Sequence, residues 1–119
     1  MRDEMLKLGV VEPSQSPWCS PVILVKKKSG EYRFTFDGRH LNRVTKPDAY
    51  PFNRVDRILS MLRGTKYVSS IDLGKAFWQI PLTRDSRKKT AFAIPGRGLF
   101  HFTRVPFGLI NSAQTQQRL

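Results

Sequence analysis

The sequence predicts an α+β fold, an antiparallel sheet with flanking helices. Three observations carry this. Tyr32, Phe34 and Phe36 alternate with Arg33, Thr35 and Asp37, the two-residue period of a strand with one apolar face. The turn Lys28-Ser29-Gly30-Glu31 carries the glycine a hairpin needs and separates that run from the apolar stretch Val22 to Lys27. Val55, Ile58, Leu59 and Leu62 recur at helical spacing and are followed by Gly64 as a stop.

The remaining elements follow in order. Residues 2–9 read as a short helix, with Met5, Leu6 and Leu8 apolar and Gly9 ending it. Val10 to Pro21 is an extended segment rich in proline and serine. Leu41 to Tyr50 reads as a connecting loop, and Pro51 precedes a helix over about 53–63. Lys66 to Asp72, Gln79 to Leu82, Thr90 to Ile94 and Leu99 to Arg104 are strand candidates, the last two joined by Pro95-Gly96-Arg97-Gly98. Asn111 or Ser112 caps a final helix. That helix reaches Leu119 without a stop signal, so a chain cut from a larger domain is expected. No repeat, low-complexity tract or linker divides the chain.

The chain has 119 residues, enough for one small domain or part of a larger one. The formal net charge of +12 favours an anionic partner. The basic residues are dispersed among aromatics and form no long amphipathic helix, which favours nucleic acid over a membrane surface. No apolar run reaches the length of a transmembrane helix. A single cysteine excludes an internal disulfide framework and makes no zinc site; Cys19, between Trp18 and Ser20, reads as a buried structural thiol. An intracellular, reducing compartment is the simplest expectation. His40 and His101 lack metal-ligand spacing and read as surface or groove residues.

The segment richest in chemistry is Ser69 to Ile80. Asp72 ends the apolar run Tyr67-Val68-Ser69-Ser70-Ile71, a small basic turn follows, and Phe77 and Trp78 come next. A single Asp at a strand tip beside a tight turn is a way to hold a hard cation near phosphate, since Mg²⁺ takes one or two protein carboxylates and completes its shell with water and substrate oxygens. A helix cap or a turn residue is the alternative.

Two further blocks flank this segment. Upstream runs Ser16-Pro17-Trp18-Cys19-Ser20-Pro21 through the hairpin to Asp37-Gly38-Arg39-His40-Leu41-Asn42. Downstream runs Phe100-His101-Phe102-Thr103-Arg104-Val105-Pro106-Phe107-Gly108-Leu109-Ile110-Asn111-Ser112-Ala113. In this order and spacing, the three blocks resemble the reverse transcriptase of a gypsy-type LTR retrotransposon, over almost the whole chain.

The resemblance implies the fingers and first part of the palm of a right-hand polymerase, with residues before about 45 and 83–104 in the fingers and 46–82 and 105–119 in the palm. It implies RNA-directed DNA polymerisation by two-metal nucleotidyl transfer, with Mg²⁺, deoxynucleoside triphosphates and an RNA/DNA template–primer. Asp72 matches a metal-holding catalytic aspartate in a context that includes Leu73 and Phe77, and the resemblance counts Leu73 among the nucleotide-binding residues. The adjacent Asp-Asp pair of the family is not in this sequence, so the chain alone is expected to be inactive. Phe77 matches the ring that excludes a ribose 2′-hydroxyl, with core packing as the alternative. Lys27 or Lys28, together with Arg33, match the basic residues that hold the triphosphate. Phe107 and Gly108 match the pocket wall beside the sugar. Arg39 and Asn42 match nucleic-acid contacts; Arg39 also stands two residues from Asp37, a pairing that orients the hairpin, and Asn42 reads equally as a turn residue. Gly38, Ala113 and Gln116 depart from the family pattern, the first lending freedom to the fingers and the last adding a polar group to an apolar helix face. A non-enzymatic basic binding module and an inactive transposon remnant are the rival functions.

Overall fold

The computed structural model describes residues 2–119. α1 (Arg2–Lys7) leads into the short strand β1 (Val11–Pro13). β2 (Val22–Lys26) and β3 (Tyr32–Phe36) follow, then α2 (Arg39–Val44) and α3 (Val55–Met61). α4 (Arg84–Arg87), β4 (Phe92–Ile94), β5 (Gly98–Phe102) and α5 (Ser112–Arg118) complete the order. β2 and β3 form an antiparallel hairpin with Val22 opposite Phe36 and Lys26 opposite Tyr32. A second antiparallel sheet has the order β1-β5-β4, with Val11 opposite Phe102 and Phe92 opposite Phe100.

The two sheets share one core, because the alternation in β3 turns Phe34 and Phe36 toward the second sheet. Phe34 meets Phe92 edge-on at 5.2 Å between ring centroids, and Phe36 meets Phe102 at 5.6 Å. Phe92 lies 5.1 Å from Phe102 and 6.1 Å from Phe100, and is 1% exposed. Met5, Val10 and Val11 complete the buried cluster from α1 and β1. A backbone bond joins the sheets, the Ser20 N–H donating to the Ala91 carbonyl at 2.8 Å, while the Asp37 N–H donates to the Pro21 carbonyl at 3.0 Å and extends the hairpin ladder. Thr90 accepts the Phe102 N–H on its hydroxyl at 3.0 Å, which satisfies a buried backbone donor.

Several local expectations change. Lys66 to Asp72 forms no strand, and every residue from 51 to 75 is exposed. Tyr67 is 92% and Ile71 86% exposed. A strand needs a neighbour for its N–H and C=O groups, and among the described residues none lies alongside this run. α3 occupies its expected place, yet none of its residues is buried. Gln79 to Leu82 yields only an isolated bridge between Pro81 and Arg104, because residues 76–79 wind into a 3₁₀ turn and Pro81 has no N–H to donate. β1, within the expected extended segment, becomes a strand because β5 offers it an edge.

α2 replaces the first part of the expected loop. The Asp37 carboxylate accepts the Arg39 N–H at 3.1 Å and so satisfies a donor at the helix start that Gly38, lacking a side chain, leaves open. Gly38 itself serves close approach rather than freedom: its φ is −85°, and a methyl there would lie 3.1 Å from the Phe36 ring and 3.2 Å from the Gly108 carbonyl. Cys19 is exposed, not buried, since the segment before β2 runs over the surface. Gln116 is half-buried; the buried acceptor that lacks a partner among the described residues is Oε1 of Gln114.

Candidate nucleotide-binding site

A cavity of about 380 Å³ opens where α1, the hairpin, the turn after Asp72 and the Pro106-Phe107 segment meet. Lys27, Arg33 and Lys75 supply cations to its wall, Trp78 and Phe107 supply aromatic faces, and among the described residues no carboxylate lines it. The hairpin places the first two. The Lys27 N–H donates to the Glu31 carbonyl at 2.7 Å, and the Gly30 N–H donates to the Lys27 carbonyl at 3.0 Å, closing the turn. Gly30 has φ +88°, a conformation that suits glycine. Lys27 therefore stands at the cavity and Lys28 at the exposed turn. The Lys27 ammonium pairs with Glu31 at 3.2 Å.

Phe107 and Phe77 pack edge-to-face, with centroids 5.0 Å apart. Phe107 lines the cavity, and Phe77 stands behind it. Gly108 follows in the left-handed region at φ +94°. Asn42 holds this bend: its amide Nδ2 donates to the Gly108 carbonyl at 2.8 Å, and its Oδ1 accepts the Ile110 N–H at 2.9 Å. Both ends of the Asn42 side chain are thus spent inside the chain. Asn111, at the start of α5, ties in the preceding loop by accepting the Asp48 N–H and donating to the Lys46 carbonyl, each at 2.9 Å. Leu73 lines a separate depression with Phe52, Ala76 and Gln116.

Asp37 and Arg39 form the expected pair. Arg39 Nη2 lies 2.7 Å from Oδ2, and Nε reaches both carboxylate oxygens at 3.0 and 3.1 Å. The Asp37 side chain is 6% exposed and the Arg39 side chain 79%. The guanidinium and the Arg39 N–H hold the Asp37 carboxyl down at about 2, from an ordinary value of 3.8. A carboxyl whose pKa is lowered on folding stabilises the folded state above the unfolded value, and that contribution disappears as pH falls toward the folded value. The chain is therefore expected to lose stability between pH 4 and pH 2 more steeply than an Asp37→Asn variant. Thermal melts of both across that window test this, and parallel curves would remove Asp37 from the account.

A second polar cluster clamps the sheet edge. The His101 ring meets the Glu12 carboxylate through Nε2 and the Ser14 hydroxyl through Nδ1, both at 2.7 Å, and Arg87 reaches Glu12 at 3.3 Å. The hydrogen bond to His101 is the main cause that lowers the Glu12 pKa. His101 is thus a structural partner across β1 and β5.

Asp72 is exposed in the irregular segment just before the turn at Gly74 and Lys75. Among the described residues, no three His, Cys, Asp or Glu side chains come together to hold a metal ion. A single carboxylate does not make a two-ion centre, so these residues alone do not fit the Mg²⁺ pair that the resemblance implies. Sequence reasoning missed Lys75 and Trp78; the basic character of the turn after Asp72 was the available signal. Among the described residues, no helix is long and apolar enough to cross a membrane.

Comparison with known proteins places the chain in a family. The family model described as reverse transcriptase (RNA-dependent DNA polymerase) matches residues 25–119. The retrovirus-related Pol polyprotein from transposon 297 of Drosophila melanogaster is 42% identical over 120 residues, covering 97% of this chain and 11% of that protein. The Pol polyprotein from transposon gypsy of the same organism is 38% identical over 121 residues, covering 97% of this chain and 12% of that protein. Among solved structures, the foamy viral protease-reverse transcriptase in complex with RNA/DNA hybrid superposes with a TM-score of 0.87 at 32% identity, over 98% of this chain and 16% of that chain. The chain thus spans a small part of the proteins it matches, and over that part it belongs to the reverse transcriptase family of the retrotransposon Pol polyproteins.

Proposed function

We propose that this chain supplies the nucleotide-gripping part of an RNA-directed DNA polymerase. The observation that carries this reading is the cavity on which Lys27, Arg33 and Lys75 converge, with the partner carboxylates of Lys27 and Lys75, Glu31 and Glu4, outside its lining. Such a wall suits the phosphates of a deoxynucleoside triphosphate. Arg33 is its firmest anchor, since a guanidinium stays charged and grips phosphate oxygens in pairs. Phe107, backed by Phe77, forms the floor for the sugar, and Gly108 lets the backbone come close. Residues about 1–45 and 83–104 act as fingers, and 46–82 and 105–119 as the start of the palm.

Reverse transcriptases use divalent metal ions generally. Asp72 offers one oxygen ligand for Mg²⁺ on this reading, and further carboxylates have to come from outside the described residues. The template–primer, an RNA/DNA duplex, meets the dispersed positive charge, with the Arg39 guanidinium open to a phosphate and Asn42 shaping the bend beneath it. The setting is an intracellular compartment, which the chain's single thiol suits. A purely nucleic-acid-binding role would rest on the +12 charge alone and leaves the cationic cavity without a use.

Titration of the chain with dTTP tests the reading. Binding is expected, and Arg33→Ala is expected to weaken it about tenfold through loss of a charge-assisted bidentate contact. A duplex oligonucleotide should also bind, with log K falling against log salt by about 0.9 for each phosphate neutralised. Equal dTTP affinity in parent and Arg33→Ala would overturn the assignment of the cavity.

A further inference from the structure

Lys75 combines features that its neighbours do not. Its backbone lies in the left-handed region, φ +49° and ψ +46°. Among the described residues it is the one non-glycine with positive φ. Side chains rarely adopt that conformation, and where they do, the strain is often tied to function. The chain keeps Lys75 there with local bonds: the Trp78 N–H donates to the Lys75 carbonyl at 2.9 Å, and the Gln79 amide donates to the Gly74 carbonyl at 2.9 Å. The result aims a long cation at the same cavity that Lys27 and Arg33 line.

The ammonium is held at the cavity by two weak partners. Nζ lies 2.7 Å from a carboxylate oxygen of Glu4 on α1, and 4.9 Å from the centre of the Trp78 ring. The Lys75 and Glu4 side chains are 53% and 55% exposed. An ion pair so open to water contributes little and exchanges readily. A polyphosphate carries several negative charges and many acceptor oxygens, so it outcompetes one carboxylate for the same ammonium.

We propose that Lys75 is a third triphosphate-binding cation, held in reserve by Glu4 and transferred from that carboxylate to the phosphate chain when a nucleotide enters. This rests on the nucleotide reading of the cavity and adds a residue and an exchange to it. Entry of the nucleotide also loosens α1 from the turn after Asp72, because the Glu4 contact is given up.

The test uses the whole chain with Trp18→Phe as background, which leaves Trp78 as the remaining tryptophan of two. Binding of dTTP, and separately of inorganic tripolyphosphate, is followed by Trp78 emission, which changes when the ammonium leaves its ring. Calorimetry supplies Kd independently. Lys75→Met is expected to weaken both ligands about tenfold, and Glu4→Gln to tighten both about threefold by removing the competitor. Glu4→Gln should have no effect in the Lys75→Met background, because the two then share no interaction. Lys75→Gly guards against a folding artefact: glycine relieves the left-handed backbone, so the fold is kept while the cation is lost. Parent-like binding in Lys75→Gly, with Arg33→Ala still weakened, would overturn the role of Lys75 and leave the nucleotide reading standing. Unchanged or weaker binding in Glu4→Gln would overturn the exchange. Absence of triphosphate binding by the parent would overturn both readings together.

Discussion

Phe92→Ala is expected to destabilise the chain by about 3–5 kcal/mol, the usual cost of removing a fully buried phenylalanine ring. Small domains are stable by about 5–15 kcal/mol in total, so the variant should be largely unfolded in conditions where the parent is folded. The size of the effect follows from position. Phe92 touches Phe34 of the hairpin and Phe100 and Phe102 of the second sheet. Its ring is the joint between the two sheets, and the neighbours are strand residues whose backbones cannot collapse far into the space left behind. Urea unfolding followed by far-UV circular dichroism supplies the comparison. Leu59→Ala is the contrast: Leu59 is 62% exposed on α3, and its loss should change stability by less than about 0.5 kcal/mol. A Phe92→Ala midpoint equal to that of the parent would mean that the sheets are not coupled through this ring. Because the hairpin carries Lys27 and Arg33, triphosphate binding should fall with the fold.

Phe77→Val is expected to lower the preference for deoxynucleotides over ribonucleotides by about 10- to 200-fold, the range that a change of steric fit in a pocket commands. The assay needs an active enzyme, made by joining a related downstream palm after Leu119. Phe107 and Phe77 pack edge-to-face with centroids 5.0 Å apart, and on the proposed reading they form the floor under the sugar. Shortening Phe77 lets Phe107 settle back and opens room for a 2′-hydroxyl. The ratio of kcat/KM for dNTP over rNTP reports the difference in transition-state binding directly. Deoxynucleotide use should fall less than ribonucleotide use rises, because Lys27 and Arg33 are untouched. Asp72→Asn serves as control and should lower both activities together, since that carboxylate serves every nucleotide alike. An unchanged ratio with activity otherwise intact would leave Phe77 as packing for Phe107 and nothing more.

Much of this could be read from residues close in sequence. The hairpin was legible because alternation over Tyr32 to Asp37 and a glycine turn are local properties. α3 and α5 were legible because helices satisfy their own backbone bonds. The Asp37–Arg39 pair lies two residues apart, and the three motif blocks carried the family. Other features depend on groups far apart in sequence. Lys66 to Asp72 has the composition of a strand, but a strand exists only where another edge accepts its hydrogen bonds, and none of the described residues does so. β1 is the reverse case: three unremarkable residues become a strand because β5, some ninety residues on, offers an edge. Asn42 reads from sequence as a turn residue or a nucleic-acid contact, and only the fold shows that Gly108 and Ile110 come within 2.9 Å of its amide. Lys27 and Lys28 are equivalent as text, and the twist of the hairpin turns one to the cavity and the other to solvent. Lys75 entered the cavity wall only when the chain brought α1, the hairpin and the turn after Asp72 to one place. Periodicity and turn chemistry act over a few residues, whereas sheet pairing and the convergence of charges depend on where distant backbone segments come to rest.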